Sequence, residues 1–136
     1  MPSSKKRILI ADSHPTMMAG VRLLLGNLFD VTVMVADVQS LSDAVVQTDF
    51  DLVIANLSIP RISNDNVVSL VKRLRPDLRI IVLSVHDDPA VISECRSAGA
   101  DGIVLMREAV NDLIPAVEAV LRGDNYVSPS IRKVTA

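Results

Sequence analysis

The stretch "DLVIANLSIP", residues 51–60, decides how the rest of the chain is read. Leu52 to Ala55 is a short apolar run suited to a buried strand, and it delivers one polar residue, Asn56, to the strand's end. Pro60 closes the loop four residues later. A side chain presented where a strand stops stands where α/β folds place their chemistry. A carboxamide, however, is a poor acid, base or nucleophile, so the position and the residue disagree.

Four further runs of the same kind flank this one: Ile8–Ala11, Val31–Ala36, Ile80–Leu83 and Ile103–Leu105. Runs this apolar suit parallel strands covered on both faces. The segments between them have helical periodicity and recognisable ends. The first helix opens at Pro15 and runs to about Asn27. Ser40 and Asp43 resemble a capping box opening the second. A third follows Asn64, aligns Val67, Val71 and Leu74, and stops before Pro76. The fourth has Asp88 as cap, Pro89 at its first position and Gly99 at its end. The fifth spans Asn111 to Arg122, with Pro115 early in it and Gly123 behind it. Five βα units with right-handed crossovers predict a doubly wound α/β sheet.

Composition narrows the function. With 136 residues the chain has one domain's length, and 49% hydrophobic residues give it a core. Only Phe29, Phe50 and Tyr126 are aromatic, so Val, Ile, Leu and Ala must build that core. A net charge of −2 argues against nucleic-acid binding by these residues, and Lys5-Lys6-Arg7 reads as a solvated strand flank. Cys95 is the single cysteine, which excludes a disulfide framework and fits a reducing, cytoplasmic setting. No apolar stretch approaches the ~20 residues of a membrane span.

The residues just past each strand form the candidate site: Asp12, Ser13 and His14; Asn56 and Ser58; Ser84, His86, Asp87 and Asp88; Met106 and Arg107. His14 and His86 read as surface or loop histidines rather than metal ligands. Met17, Met18, Met34 and Met106 read as core filler, and Cys95 as a packing residue.

"ILIADSHPTMMAGVRLLL", "DLVIANLSIP", "IIVLSVHDDPAVISECRSAGADGIVL" and "RGDNYVSPSI" together resemble receiver domains of two-component response regulators, of the NarL/LuxR type. The resemblance runs from Arg7 to about Ile131 and implies a flavodoxin-like (βα)5 fold with a five-stranded parallel sheet ordered 2-1-3-4-5. Residues 1–6 are then a disordered flank, 7–123 the receiver-like domain, and 124–136 a linker toward a helix-turn-helix domain beyond this chain. The family's phosphorelay chemistry implies an acidic pair holding Mg²⁺ after strand one and a phosphoacceptor aspartate after strand three. It also implies a hydroxyl after strand four, a lysine after strand five and a switch aromatic on strand five.

Carried over position by position, the chain keeps Asp12 but has Ser13 for its acidic partner, and Asn56 stands at the acceptor position. Ser84 matches the hydroxyl, Met106 replaces the lysine, and Ile103 replaces the switch aromatic. A neutral amide has no anionic oxygen to attack phosphorus, and Mg²⁺ is held mostly by carboxylates and phosphate oxygens. Met106 supplies no cation for the transferring group. Nothing near Ser58 or Ser84 activates either hydroxyl as a substitute.

The expectation is a degenerate, non-enzymatic receiver with weak or absent Mg²⁺ binding, its pocket closed by hydrogen bonds among Asp12, Asn56 and Ser84. It would work by protein–protein contact or as a homodimer, through helix 4, strand 5 and helix 5 or through helices 1 and 5. An effector domain in cis is the other expected partner. The alternative is a small-molecule module reusing the vacated pocket.

Overall fold

A computed structural model describes residues 6–59 and 66–131. In chain order the elements are β1 (Arg7–Ala11), α1 (Pro15–Leu25), β2 (Val31–Val35), α2 (Val38–Gln47), β3 (Leu52–Asn56) and α3 (Val67–Leu74). They continue with β4 (Arg79–Ser84), α4 (Pro89–Ala98), β5 (Gly102–Leu105), a 3₁₀ turn (Met106–Glu108), α5 (Ala109–Leu121) and β6 (Tyr126–Val127). The sheet is parallel throughout and ordered β2-β1-β3-β4-β5-β6. The expected order holds, and a sixth strand extends it.

Strand pleating divides the core in two, because residues i and i+2 share a face. Leu9, Val53, Val82 and Ile103 join side chains from α2, α3 and α4 in one cluster. Ile8, Ile54, Ile81 and Val104 join α1 and α5 in the other. The central strands are buried on both faces, as their unbroken apolar runs require. β2 differs because it is a sheet edge. Met34, expected in the core, is 43% exposed there.

Most helix ends follow the predicted signals. Asp88 caps α4 by accepting the Ala90 N–H at 2.9 Å, and Gly99 ends it at φ 107°, a left-handed conformation that costs glycine little. The α2 cap is a correction. Asp37, not Ser40, holds that position and accepts the Ser40 N–H at 2.7 Å. This bond holds the Asp37 carboxyl below the usual range, since it favours the charged form. Asn66 caps α3 by accepting the Ser69 N–H at 2.8 Å; Asn64, the predicted start, lies outside the described residues. α5 begins at Ala109, two residues earlier than expected, which puts Pro115 well inside it on the exposed side.

The tail is the largest correction. Residues expected to be linker form β6 beside β5, and Ile131 is fully buried in the α2–α4 cluster. Among the described residues no helix is long and apolar enough to cross a membrane.

Candidate functional site

The carboxyl ends of β1 and β3 bring Asp12 and Asn56 together. Ala11 pairs with Ala55, so Asp12, just past β1, and Asn56, the last residue of β3, stand side by side. Asp12 and Asn56 have the parity of Ile10 and Ile54, and both face the α1 side of the sheet. Both are almost completely buried.

Each polar side-chain atom of this pair has a hydrogen-bond partner. Asn56 Nδ2 donates to Asp12 Oδ2 at 3.1 Å, and Asn56 Oδ1 accepts the Ser58 N–H at 2.9 Å. Asp12 Oδ1 accepts the His14 N–H at 2.8 Å and lies 3.2 Å from His14 Nδ1. The remaining amide hydrogen of Asn56 meets only the Met17 sulfur, at 4.0 Å. Ser13 Oγ lies 3.4 Å from His14 Nδ1, half-buried and outside the Asp12–Asn56 pair.

Ser84 does not join them, contrary to expectation. Its Oγ donates to the His86 carbonyl at 2.6 Å and accepts the His86 N–H at 3.1 Å, closing its own loop. Parity explains the separation. Ser84 follows Ile80 and Val82, whose side chains point to the α2–α4 side, whereas Asn56 points to the other. Counting twos along "RIIVLS" would have revealed this from sequence.

Met106 stands at the end of β5 and packs against the α1–α5 cluster, on the same side as Asn56. Arg107 turns to the loop after β4, where its guanidinium lies 3.4 Å from the Asp87 carboxylate, both more than half exposed. Ile103 is buried in the α2–α4 cluster. His14 and His86 are exposed, as expected, and Cys95 is buried. Histidine 14 nevertheless touches the buried carboxylate, a role sequence reasoning missed. No group of three or more metal-ligating side chains occurs among the described residues. A cavity of about 260 Å³ lies on the Ser84 side and is lined by Leu57, Ser58, Asn66, Ser84, His86 and Cys95, among others. Neither Asp12 nor Asn56 lines it.

A parallel sheet ordered β2-β1-β3-β4-β5, with polar residues at the β1 and β3 ends, is the receiver architecture, and the chain belongs to the response regulator receiver domain family, matched over residues 8–118. It is 30% identical over 132 residues to the transcriptional regulatory protein RcsB of Salmonella typhi, covering 93% of this chain and 61% of RcsB. It is 26% identical over 130 residues to the transcriptional regulatory protein DegU of Brevibacillus brevis, covering 94% of this chain and 55% of DegU. The chain thus spans less than two thirds of the length of these relatives. Among solved structures, the isolated receiver domain of RcsB from Salmonella enterica serovar Typhimurium, in the presence of the phosphomimetic BeF3⁻, superposes with a TM-score of 0.86. That match has 27% identity and covers 98% of this chain and 100% of the RcsB domain.

Proposed function

We propose that this is an atypical receiver domain of a transcriptional regulator, acting through protein–protein contact without accepting a phosphoryl group. One observation carries the reading: the amide of Asn56 donates to the buried Asp12 carboxylate. An aspartate at position 56 would set an oxygen against Asp12 Oδ2 at that distance, a repulsion that a bound cation must neutralise. Asparagine converts the repulsion into a hydrogen bond and leaves no anionic nucleophile.

The site residues do not fit Mg²⁺. Asp12 is the one carboxylate of the Asp12–Ser13–Asn56 set, and both its oxygens already accept hydrogen bonds. Magnesium dehydrates reluctantly and would have to displace them. Met106 adds no cation, and Ser84 faces away. The chain is therefore proposed to be non-catalytic, with a constitutively closed pocket.

Self-association is proposed through α1 and α5. Leu23 on α1 and Val110 on α5 are the most exposed large hydrophobic side chains among the described residues, at 78% and 75%. The alternative face of helix 4, strand 5 and helix 5 is partly covered by β6. RcsB has been solved as dimers bound to DNA. For this chain any DNA contact is proposed to be made by an effector domain and not by the receiver itself. The alternative reading, a small-molecule module, would use the cavity beside Ser84 and not the closed Asp12–Asn56 pair.

Labelling with a small phosphodonor and Mg²⁺ tests the central reading. The unmodified protein should not label, whereas the triple revertant Ser13→Asp, Asn56→Asp, Met106→Lys should. Labelling of the unmodified protein would refute the proposal.

A further inference from the structure

The outer edge of β5 carries a site that the sequence did not announce. The carbonyls of Asp101 and Ile103 and the N–H of Leu105 point away from β4, and the chain's own tail meets each of them. The Tyr126 N–H donates to the Asp101 carbonyl at 3.0 Å, and the Ser128 N–H to the Ile103 carbonyl at 3.0 Å. The Leu105 N–H donates to Ser128 Oγ at 3.1 Å, so a side chain continues the ladder where the strand stops. Ser128 is completely buried in doing so. Ile131 is buried in the cluster that also holds Ile92 and Cys95 of α4 and Ile103 of β5.

Two further bonds fasten the segment to α5 and the turn before it. Tyr126 Oη donates to Asp112 Oδ1 at 3.2 Å, and Ser130 Oγ to Glu108 Oε2 at 2.7 Å. The connection to α5 is short and exposed: Gly123 at φ 95°, then Asp124 and Asn125. The docking also has a built-in cost. Glu108 Oε1 is buried with no partner among the described residues, and an unpaired carboxylate oxygen regains solvation when released to water.

We infer that the β5 edge, with the Ile131 slot beside α4, is a strand-accepting site whose occupant is this chain's own Tyr126–Ile131 segment. While docked, the segment closes the edge and ties α4 to β5, so the helix 4, strand 5 and helix 5 surface is not open to a partner strand. Specificity follows from three features: a hydroxyl at the Ser128 position for the Leu105 amide, an aliphatic side chain for the slot, and a Ser130 donor for Glu108. The inference stands apart from the reading of Asn56, which lies on other strands.

The test uses the full chain and its Ile131→Ala variant, with amide hydrogen exchange and a labelled peptide of residues 124–131 as the probe. The variant should exchange the Ile103 and Leu105 amides at least tenfold faster, while amides of β1 and β3 stay protected. The peptide should bind the variant and restore protection at Leu105, and should bind the unmodified chain at least tenfold more weakly. Unchanged exchange at β5, equal acceleration in β1 and β3, or equal peptide binding to both proteins would overturn the proposal. Should Ile131→Ala lose its helical circular dichroism, Ser130→Ala takes its place, with a smaller acceleration confined to Ile103 and Leu105. No β5-selective change in either variant overturns it equally.

Discussion

The two halves of the strand-end crevice are built on opposite plans. At the ends of β1 and β3, Asp12 and Asn56 are buried, face the same side and bond to each other. At the ends of β4 and β5, Ser84 bonds only within its own loop, and Arg107 meets Asp87 in the open. Among the described residues no side-chain hydrogen bond joins one half to the other; the backbone joins them where the Leu57 N–H donates to the Leu83 carbonyl at 3.0 Å. The difference teaches where stability and coupling reside. The first half is a closed polar unit whose parts depend on one another, and the second is a set of local contacts.

The largest effect should come from breaking the closed half. Asn56→Asp places a second carboxylate against Asp12 in a buried setting and should cost about 2–4 kcal/mol at neutral pH. Like charges raise the carboxyl pKa in the folded state above its unfolded value. The folded variant then binds the extra proton more tightly, and its deficit should shrink as pH falls. Urea titrations of variant and parent at several pH values measure this; a deficit independent of pH would show that the two groups do not interact. Asn56→Ala should cost about 2–3 kcal/mol, because Asp12 Oδ2 loses its donor while staying buried.

Ser84→Ala should cost about 1 kcal/mol, since it removes only the bonds to His86. A double-mutant cycle then sharpens the contrast. Ser84→Ala and Asn56→Ala should add to within about 0.5 kcal/mol, whereas Asn56→Ala and Asp12→Asn should couple by about 1 kcal/mol or more. Coupling between Ser84 and Asn56 of that size would mean that the halves communicate after all.

How much of this was legible in the sequence depends on which physical signal carries each feature. The strands and the Asp88–Pro89–Gly99 helix were readable because apolar runs, caps and left-handed glycines are local signals. That Asp12 and Asn56 share the carboxyl edge of the sheet was likewise readable, since βα units with crossovers of one hand bring all strand ends to one side; that β1 and β3 adjoin came from the family resemblance. Local signals also misled. "DVQS", residues 37–40, and "SLSD", residues 40–43, are both plausible helix starts, and only the folded chain selects Asp37. Met34 was misplaced because an edge strand and a central strand share the same apolar composition. β6 was missed because two residues carry no periodicity. The cues were Tyr126-Val127 and Ile131 in a mostly polar tail. The failure to separate Ser84 from Asn56 was avoidable, because side-chain parity is written into the strand.

The smallest effect belongs to the contact that looks most like a bridge across the open half. Arg107 and Asp87 connect the turn after β5 to the loop after β4, and Arg107 is the cation next in sequence to Met106, where the family resemblance implies a lysine. Its guanidinium is 3.4 Å from the carboxylate, yet both side chains are more than half exposed. Water screens such a pair, and ordering two long side chains offsets most of the attraction, so Arg107→Ala should change stability by no more than about 0.5 kcal/mol. The value should fall further in high salt, because the charges are open to counterions. A loss several times larger, insensitive to salt, would mean that Arg107 reaches a buried partner. The second half would then have to be redrawn as a closed unit like the first.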